Sequence, residues 1–105
     1  MTQESSRIES RIPIRVTVDL ASLELRTPAQ QGTTENVSAH GARILTRKPW
    51  QLNARLNLRS LLGSLRSRAR VVYCEPTSSG EYAVGLELSA TAGEWTSAQN
   101  FRHVV

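Results

Sequence analysis

Asn36, Ser38 and Gly41 form the most informative group of polar residues in the chain. Their spacing, Asn-x-Ser-x-x-Gly, combines an amide that donates and accepts hydrogen bonds, a hydroxyl, and a residue without a Cβ. Such a group is suited to holding a small polar ring. The composition predicts about 0.03 chance matches to Asp/Asn-x-Ser-x-x-Gly, so the single occurrence is informative. We expect these residues to form one half of a ligand site.

Arg7 and Arg11, which precede the first predicted strand, are the expected other half of that site. Their Arg-x-x-x-Arg spacing carries little information alone, because five such pairs occur where chance predicts about 1.3. Most other pairs lie in predicted strands, where residues i and i+4 share a face, and we interpret them as solvent-exposed charge. Twelve of the 13 basic residues are arginine and the net charge is +4, which favours an anionic partner.

Length and composition place the chain in a single domain. Its 105 residues suffice for one core, and only 5% of them are aromatic, so that core must be aliphatic. Cys74 is the sole cysteine, which excludes an intramolecular disulfide and, with two histidines, a structural zinc set. No apolar stretch is long enough to span a membrane, and we expect a cytoplasmic protein.

Alternation of apolar and polar residues predicts most of the elements. It predicts strands over 14–18 with a continuation over 23–26, then over 33–37, 42–46, 54–59, 65–73 and 82–88. Turns are predicted over 27–32 and over 38–41, the second as a hairpin tip. Residues 1–10 are interpreted as a flexible N-terminal segment carrying part of the arginine motif, and residues 93–105 as a short closing helix. The strand count predicts an antiparallel barrel or sandwich.

With these motifs in this order, the chain resembles the PilZ domains, bacterial receptors for cyclic di-GMP. The resemblance rests on Arg7 and Arg11 before the first strand, on Asn36, Ser38 and Gly41, and on the strand Val84-Gly85-Leu86-Glu87-Leu88. It covers nearly the whole chain. It implies a mainly all-β fold, a six-stranded antiparallel β-barrel with a short C-terminal helix, in which residues 11–105 form the PilZ-like domain.

The resemblance also implies a ligand and roles for the site residues. Cyclic di-GMP would lie between the arginine-bearing segment and the barrel face that carries the Asn-Ser-Gly turn. Arg7 and Arg11 would contact phosphates and the Hoogsteen edge of guanine, whose O6 and N7 both accept hydrogen bonds. Asn36 and Ser38 would bind a guanine edge, and Gly41 would leave room for the base. The N-terminal segment would order on binding and signal to an effector protein, with no cofactor.

Two alternatives of other kinds stay open. One is a small basic barrel that binds nucleic acid through Arg66, Arg68 and Arg70 with Arg55 and Arg59, although no aromatic ring is interleaved with these arginines to stack on bases. The other is a PilZ-like protein-interaction scaffold that binds no nucleotide. An enzyme is not expected, because the sequence contains no nucleophile–base spacing, paired carboxylates or phosphate-binding glycine loop.

Overall fold

Six antiparallel strands close into a barrel. The structure, a computed structural model, describes residues 10–95. The strands are β1 (Thr17–Ser22), β2 (Gln30–Val37), β3 (Gly41–Thr46), β4 (Arg55–Ser60), β5 (Arg66–Pro76) and β6 (Tyr82–Ala92). Their order around the barrel is β1-β2-β3-β6-β5-β4, with β4 hydrogen-bonded to β1 to complete the ring. The predicted six-stranded barrel is confirmed.

The core is made of the inward-facing aliphatic side chains of these strands. In β4 buried and exposed residues alternate strictly, as the sequence pattern requires for a strand with one wet face. Val84, Leu86 and Leu88 of β6 point inward as expected. Fully buried side chains from all six strands meet at the centre, among them Leu20, Thr34, Ile44, Leu56, Leu58, Val71 and Val84.

The predicted continuation of the first strand over 23–26 is wrong. β1 ends at Ser22, whose hydroxyl oxygen accepts hydrogen bonds from the backbone N–H groups of Glu24, at 3.1 Å, and Leu25, at 3.0 Å. This local turn leaves Leu23 and Leu25 exposed by 45% and 65%. A serine hydroxyl that satisfies two backbone donors can end a strand despite continuing apolar alternation.

The predicted turn over 27–32 is too long, because β2 already begins at Gln30. Gly32 is buried and pairs with Val18 on one side and Thr46 on the other. A Cβ on Gly32 would lie 2.8 Å from Cγ2 of Ile44. This glycine marks close packing within a strand, whereas its composition-based interpretation was a turn.

The chain ends lie partly outside the described residues. Of the predicted closing helix over 93–105, residues 96–105 lie outside them, and Gly93 to Trp95 are not helical. Of the predicted flexible segment, residues 1–9 lie outside them, and Ser10 is exposed. The flexibility of residues 1–10 and the helix over 96–105 therefore stay predictions.

Ile44 gives a direct test of the core packing. It is fully buried on β3, between Thr34 of β2 and Val84 of β6. Ile44→Val removes one methylene and should lower the free energy of unfolding by about 1 kcal/mol, measured by urea denaturation. Val72→Ala, at an exposed position of β5, is the control and should change it by less than about 0.5 kcal/mol. Equal losses would contradict this assignment of the core.

Candidate ligand-binding face

The Asn-x-Ser-x-x-Gly motif forms the hairpin tip between β2 and β3, as the sequence predicts. The backbone N–H of Ser38 donates to the carbonyl of Gly41 at 2.8 Å, and this bond closes the turn. The backbone N–H of Leu88 in β6 donates to the carbonyl of His40 at 2.8 Å. The tip is thus fixed both by its own closing bond and by the neighbouring strand.

Gly41 packs closely against the neighbouring strand and the hairpin tip. Its φ angle is not positive, so the turn itself does not demand glycine. A Cβ at this position would instead lie 3.3 Å from the carbonyl oxygen of Leu86 and 3.5 Å from the hydroxyl of Ser38. Glycine here keeps β3 close to β6 and leaves the outer surface beside Ser38 without a side chain.

Arg11 lies directly beside the hairpin. Its Nη1 donates to Oδ1 of Asn36 at 2.7 Å, which joins the arginine motif to the turn motif. The next residue, Ile12, pairs with Val37 through two backbone hydrogen bonds of 2.7 and 2.9 Å. Arg11 is therefore held at the end of β2 by the backbone that follows it.

Thr34 attaches the rest of the leading segment, residues 10–16, to the barrel. Its buried hydroxyl accepts a hydrogen bond from the backbone N–H of Val16 at 2.9 Å and donates to the carbonyl of Ile14. Its own N–H donates to the carbonyl of Val16 at 3.0 Å. Because a side chain replaces part of the ladder here, β1 begins only at Thr17 and not at Ile14 as the alternation predicts.

A β-bulge determines which side chains of β2 reach the outer face. The pairing with β3 shifts between Thr34 and Asn36, so Glu35 is the additional residue. Thr34 points inward, whereas Asn36 lies opposite Arg43 on the outside. A bulge of this kind redirects side chains next to a functional surface.

Four outward-facing residues lie side by side across β2, β3, β6 and β5. Asn36 pairs with Arg43, Arg43 with Gly85, and Gly85 with Tyr73; we call this set the Asn36–Tyr73 row. Arg43 donates from Nη1 to the Tyr73 hydroxyl at 3.0 Å, and its Cζ lies 5.7 Å from the centroid of that ring. The row is therefore a continuous surface of amide, guanidinium and phenol groups.

Gly85 allows the Tyr73 ring to lie flat on the sheet. A Cβ at position 85 would fall 2.1 Å from Cε2 of Tyr73, closer than atoms can approach. The ring covers the backbone of β6 and buries Gly85 on what would otherwise be an exposed outer face. Any larger residue at 85 would displace the ring.

Arg43 is oriented by an acidic partner. Its Nε donates to Oε1 of Glu35 at 2.7 Å, and both side chains are about one-third exposed. The hydrogen bond that Arg43 donates to Glu35, followed by that to Tyr73, raises the pKa of Arg43 further above its ordinary value. The guanidinium thus stays charged at every accessible pH, with its plane held between Glu35 and Tyr73.

The Asn36–Tyr73 row is an open face. A groove of about 810 Å³ lies elsewhere, and its lining includes Thr17, Thr33, Leu45, Arg47 and Lys48 but no residue of the row. Asn36, Arg43 and Tyr73 are each partly exposed, and Arg11 of the leading segment contacts the row at Asn36.

The structure brings together four of the five predicted site residues. Arg11 contacts Asn36, and Ser38 and Gly41 follow in the same hairpin. Arg7 lies outside the described residues. The assignment of all five to ligand binding stays a prediction.

Sequence reasoning did not place Glu35, Arg43, Tyr73 and Gly85 beside the predicted site. Arg43 was interpreted as one of several solvent-exposed arginines, and Gly85 only as part of a strand. The available signal was cross-strand register, because pairing β3 with β6 places Arg43 opposite Gly85. The bulge that exposes Glu35 and the flat packing of Tyr73 leave no such signal in the sequence.

Comparison with known proteins identifies the family. The closed six-stranded barrel and the polar hairpin define a small antiparallel β-barrel domain. A family model for the PilZ domain matches residues 2–99, and the chain belongs to that family. PilZ domains in general bind cyclic di-GMP and are not catalytic. No curated protein matches the chain.

Residues 10–95 contain neither a membrane-spanning helix nor a cluster of metal ligands. Within this range there is no helix with the length and apolar character needed to cross a membrane. The same residues contain no group of three or more His, Cys, Asp or Glu side chains arranged to hold a metal ion.

Proposed function

We propose that this protein is a non-catalytic receptor for cyclic di-GMP that signals to an effector protein in the bacterial cytoplasm. The observation that carries the proposal is the 2.7 Å contact between Arg11 and Asn36, residues 25 positions apart that belong to the two motifs. The family match supports the ligand class. The proposed binding residues are Arg7, Arg11, Asn36, Ser38 and Gly41.

The chemistry of the face suits this ligand. A guanidinium has five N–H donors, so Arg11 can keep its bond to Asn36 while it donates to a phosphate or to guanine O6 and N7. The ring of Tyr73 and the side-chain-free surface at Gly85 offer a flat area on which a purine can rest. Arg43, held beside that ring, adds a second positive charge for the two phosphates.

Covering the ligand requires the N-terminal segment to adopt one conformation. The free energy needed to order it reduces the affinity, and we expect a dissociation constant on the order of micromolar. The same ordering changes the surface near Arg11 that an effector protein would contact. Binding and signalling would thus depend on one segment.

Isothermal titration with cyclic di-GMP tests the proposal. We expect saturable binding that is not reproduced by cyclic di-AMP, whose adenines lack the O6 acceptor that Arg11 is proposed to read. Hydrogen exchange in residues 1–16 should slow when the ligand is added. Absence of heat and of any exchange change at millimolar ligand would contradict the proposal and favour the scaffold without nucleotide.

Gly85→Ala tests how much the Tyr73 ring and the surface at Gly85 contribute to ligand binding, apart from the other proposed site residues. The new methyl group would drive the Tyr73 ring away from β6 and break its bond to Arg43. We expect a loss of about 1 kcal/mol in stability and a roughly tenfold weaker affinity for cyclic di-GMP, measured by thermal melting and titration. Tyr73→Phe keeps the ring and should lose less than about threefold in affinity. Unchanged binding by Gly85→Ala would place the ligand away from the row.

Nucleic-acid binding is the less supported function. Three of the five arginines on β4 and β5 already pair with carboxylates: Arg55 with Glu24, Arg59 with Asp19, and Arg70 with Glu87. Those carboxylates would face the phosphates of any nucleic acid placed on the same strands. The outward positions of 55–59 and 66–70 also contain no aromatic ring for base stacking.

A further inference from the structure

The outer face of β4 and β5 presents five arginines, Arg55, Arg59, Arg66, Arg68 and Arg70, which we call the arginine ribbon. Register places them in direct opposition: Arg55 lies across from Arg70, and Arg59 across from Arg66. Like charges directly opposite each other on neighbouring strands destabilise a sheet. The two opposed arginine pairs therefore do not favour the pairing of β4 with β5.

Only part of the ribbon is neutralised within the described residues. Three ribbon arginines pair with carboxylates: Arg55 with Glu24 at an N–O distance of 3.2 Å, Arg59 with Asp19 at 3.0 Å, and Arg70 with Glu87 at 2.8 Å. The backbone N–H and then the guanidinium of Arg55 lower the pKa of Glu24, which keeps that carboxylate charged. Among residues 10–95, no carboxylate pairs with Arg66 or Arg68. The excess charge of the face is located on these two guanidinium groups.

The geometry of Arg66 and Arg68 defines what would complement them. They are two residues apart on one strand, point to the same side and are both exposed, so their Cα atoms are separated by about 7 Å. Each guanidinium fork binds one carboxylate through two hydrogen bonds. Two carboxylates with the same separation occur at positions i and i+2 of an extended acidic segment.

An apolar side chain stands at the end of the ribbon. Leu62, in the loop between β4 and β5, is 87% exposed. The loop is held in place, because the N–H of Leu61 donates to the carbonyl of Thr17 at 3.0 Å and that of Ser64 to the carbonyl of Glu94 at 3.0 Å. Arginine is enriched at protein–protein interfaces, and the exposed Leu62 offers an apolar contact beside the two unpaired arginines.

We propose that the arginine ribbon is the docking surface for an acidic, extended segment of a partner protein, with its carboxylates on Arg66 and Arg68 and an apolar residue on Leu62. Protein interfaces favour arginine over lysine, and the ribbon contains no lysine. The interspersed carboxylates Asp19, Glu24 and Glu87 disfavour a nucleic acid or an anionic membrane, whose negative charge is continuous. Arg66, Arg68 and Leu62 do not belong to the Asn36–Tyr73 row, although Arg70 bonds Glu87, which lies across from Gly41. The docking proposal does not depend on nucleotide binding.

The experiment uses the full chain and a short fluorescein-labelled peptide of alternating Glu and Thr ending in Leu. Anisotropy is measured in about 150 mM salt, where exposed charges more than about 8 Å apart are screened. We expect Arg66→Gln/Arg68→Gln to weaken peptide binding at least tenfold, and Arg66→Lys/Arg68→Lys, which keeps the charge but not the forks, to weaken it by about threefold. The same peptide with Gln in place of Glu should not bind.

The matched control is Arg47→Gln/Lys48→Gln, which removes the same charge from two exposed residues at the far end of β3. It should change peptide affinity by less than about threefold. If both double glutamine variants lost the same peptide affinity, the peptide would be attracted by the overall charge of the protein, and the proposal would be overturned. Absence of peptide binding by the unmodified chain would overturn it as well.

Further measurements test other partners and show whether a variant has lost docking alone or also its fold or its nucleotide binding. Tighter binding to duplex DNA, or to phosphatidylserine vesicles, than to the Glu peptide at the same salt would overturn the proposal in favour of those surfaces. Arg66→Gln/Arg68→Gln should melt no lower than the unmodified chain, since it relieves the opposition to Arg59. It should also titrate normally with cyclic di-GMP, so a failure of nucleotide binding is read separately from a failure of docking.

Discussion

Arg11→Ala is expected to weaken cyclic di-GMP binding by more than about 100-fold while leaving the barrel folded. The substitution removes a guanidinium that would donate at least two charge-assisted hydrogen bonds, each contributing about 1.5–3 kcal/mol. It removes no core contact, because Arg11 is exposed and its described side-chain bond is to Asn36. Calorimetric titration gives the affinity, and circular dichroism reports the fold.

Arg15→Ala is the matched control for Arg11→Ala. Arg15 is exposed in the same leading segment and carries the same charge, so its loss tests attraction at long range. We expect its affinity to change by less than about threefold. Arg11→Lys should be intermediate, because it keeps the charge but not the planar fork. Equal affinities of the Arg11→Ala variant and the unmodified chain would remove Arg11 from the site.

Regular alternation made the barrel predictable. In β4 apolar side chains occur at every second position and are buried, and Ala69 and Val71 of β5 and Val84, Leu86 and Leu88 of β6 follow the same period. In β5 the alternation ends at Val71, because the register shift between Val71 and Tyr73 places Tyr73 on the outer face. Period-two burial follows from strand geometry alone, so it can be recognised without knowing the neighbouring strands. The hairpin at 38–41 was predictable for a similar reason, because its polar turn residues interrupt two alternating segments.

Features that depend on contacts between distant residues were not predictable. Nothing local distinguishes Ser22, which ends β1 through two hydrogen bonds, from a serine within a strand. The bulge at Glu35 changes which residues face outward, although the sequence of β2 contains no interruption at that point. Strand ends and bulges depend on hydrogen bonds between residues that come together only as the chain folds.

The candidate site likewise contains residues that local sequence could predict and residues that it could not. Spacing identified Asn36, Ser38 and Gly41 because the chemistry is contained in six consecutive residues. Arg43 and Tyr73 are 30 residues apart and meet only through the pairing of β3, β6 and β5. A face assembled from four strands has no sequence signature of its own, and register is the property that reveals it.

Thr34→Val is expected to detach the leading segment and so to reduce both stability and nucleotide affinity. Valine has the shape of threonine but lacks the hydroxyl that accepts from Val16 and donates to Ile14. The change leaves two partly buried backbone groups without that partner, at a cost of about 2–4 kcal/mol. Because Arg11 is positioned by the backbone on the same segment, its contact with Asn36 should loosen, and cyclic di-GMP affinity should fall at least tenfold.

Thr33→Val is the control for this prediction, because Thr33 lies on the same strand with its side chain on the outer face. It should change stability by less than about 0.5 kcal/mol. Urea denaturation gives the stability, and titration near 10 °C, where both variants are folded, gives the affinity. Hydrogen exchange at the N–H of Val16 should be faster in Thr34→Val alone. A destabilised Thr34→Val variant that binds cyclic di-GMP normally would show that the hydrogen bonds of the Thr34 hydroxyl are not needed to position the leading segment for binding.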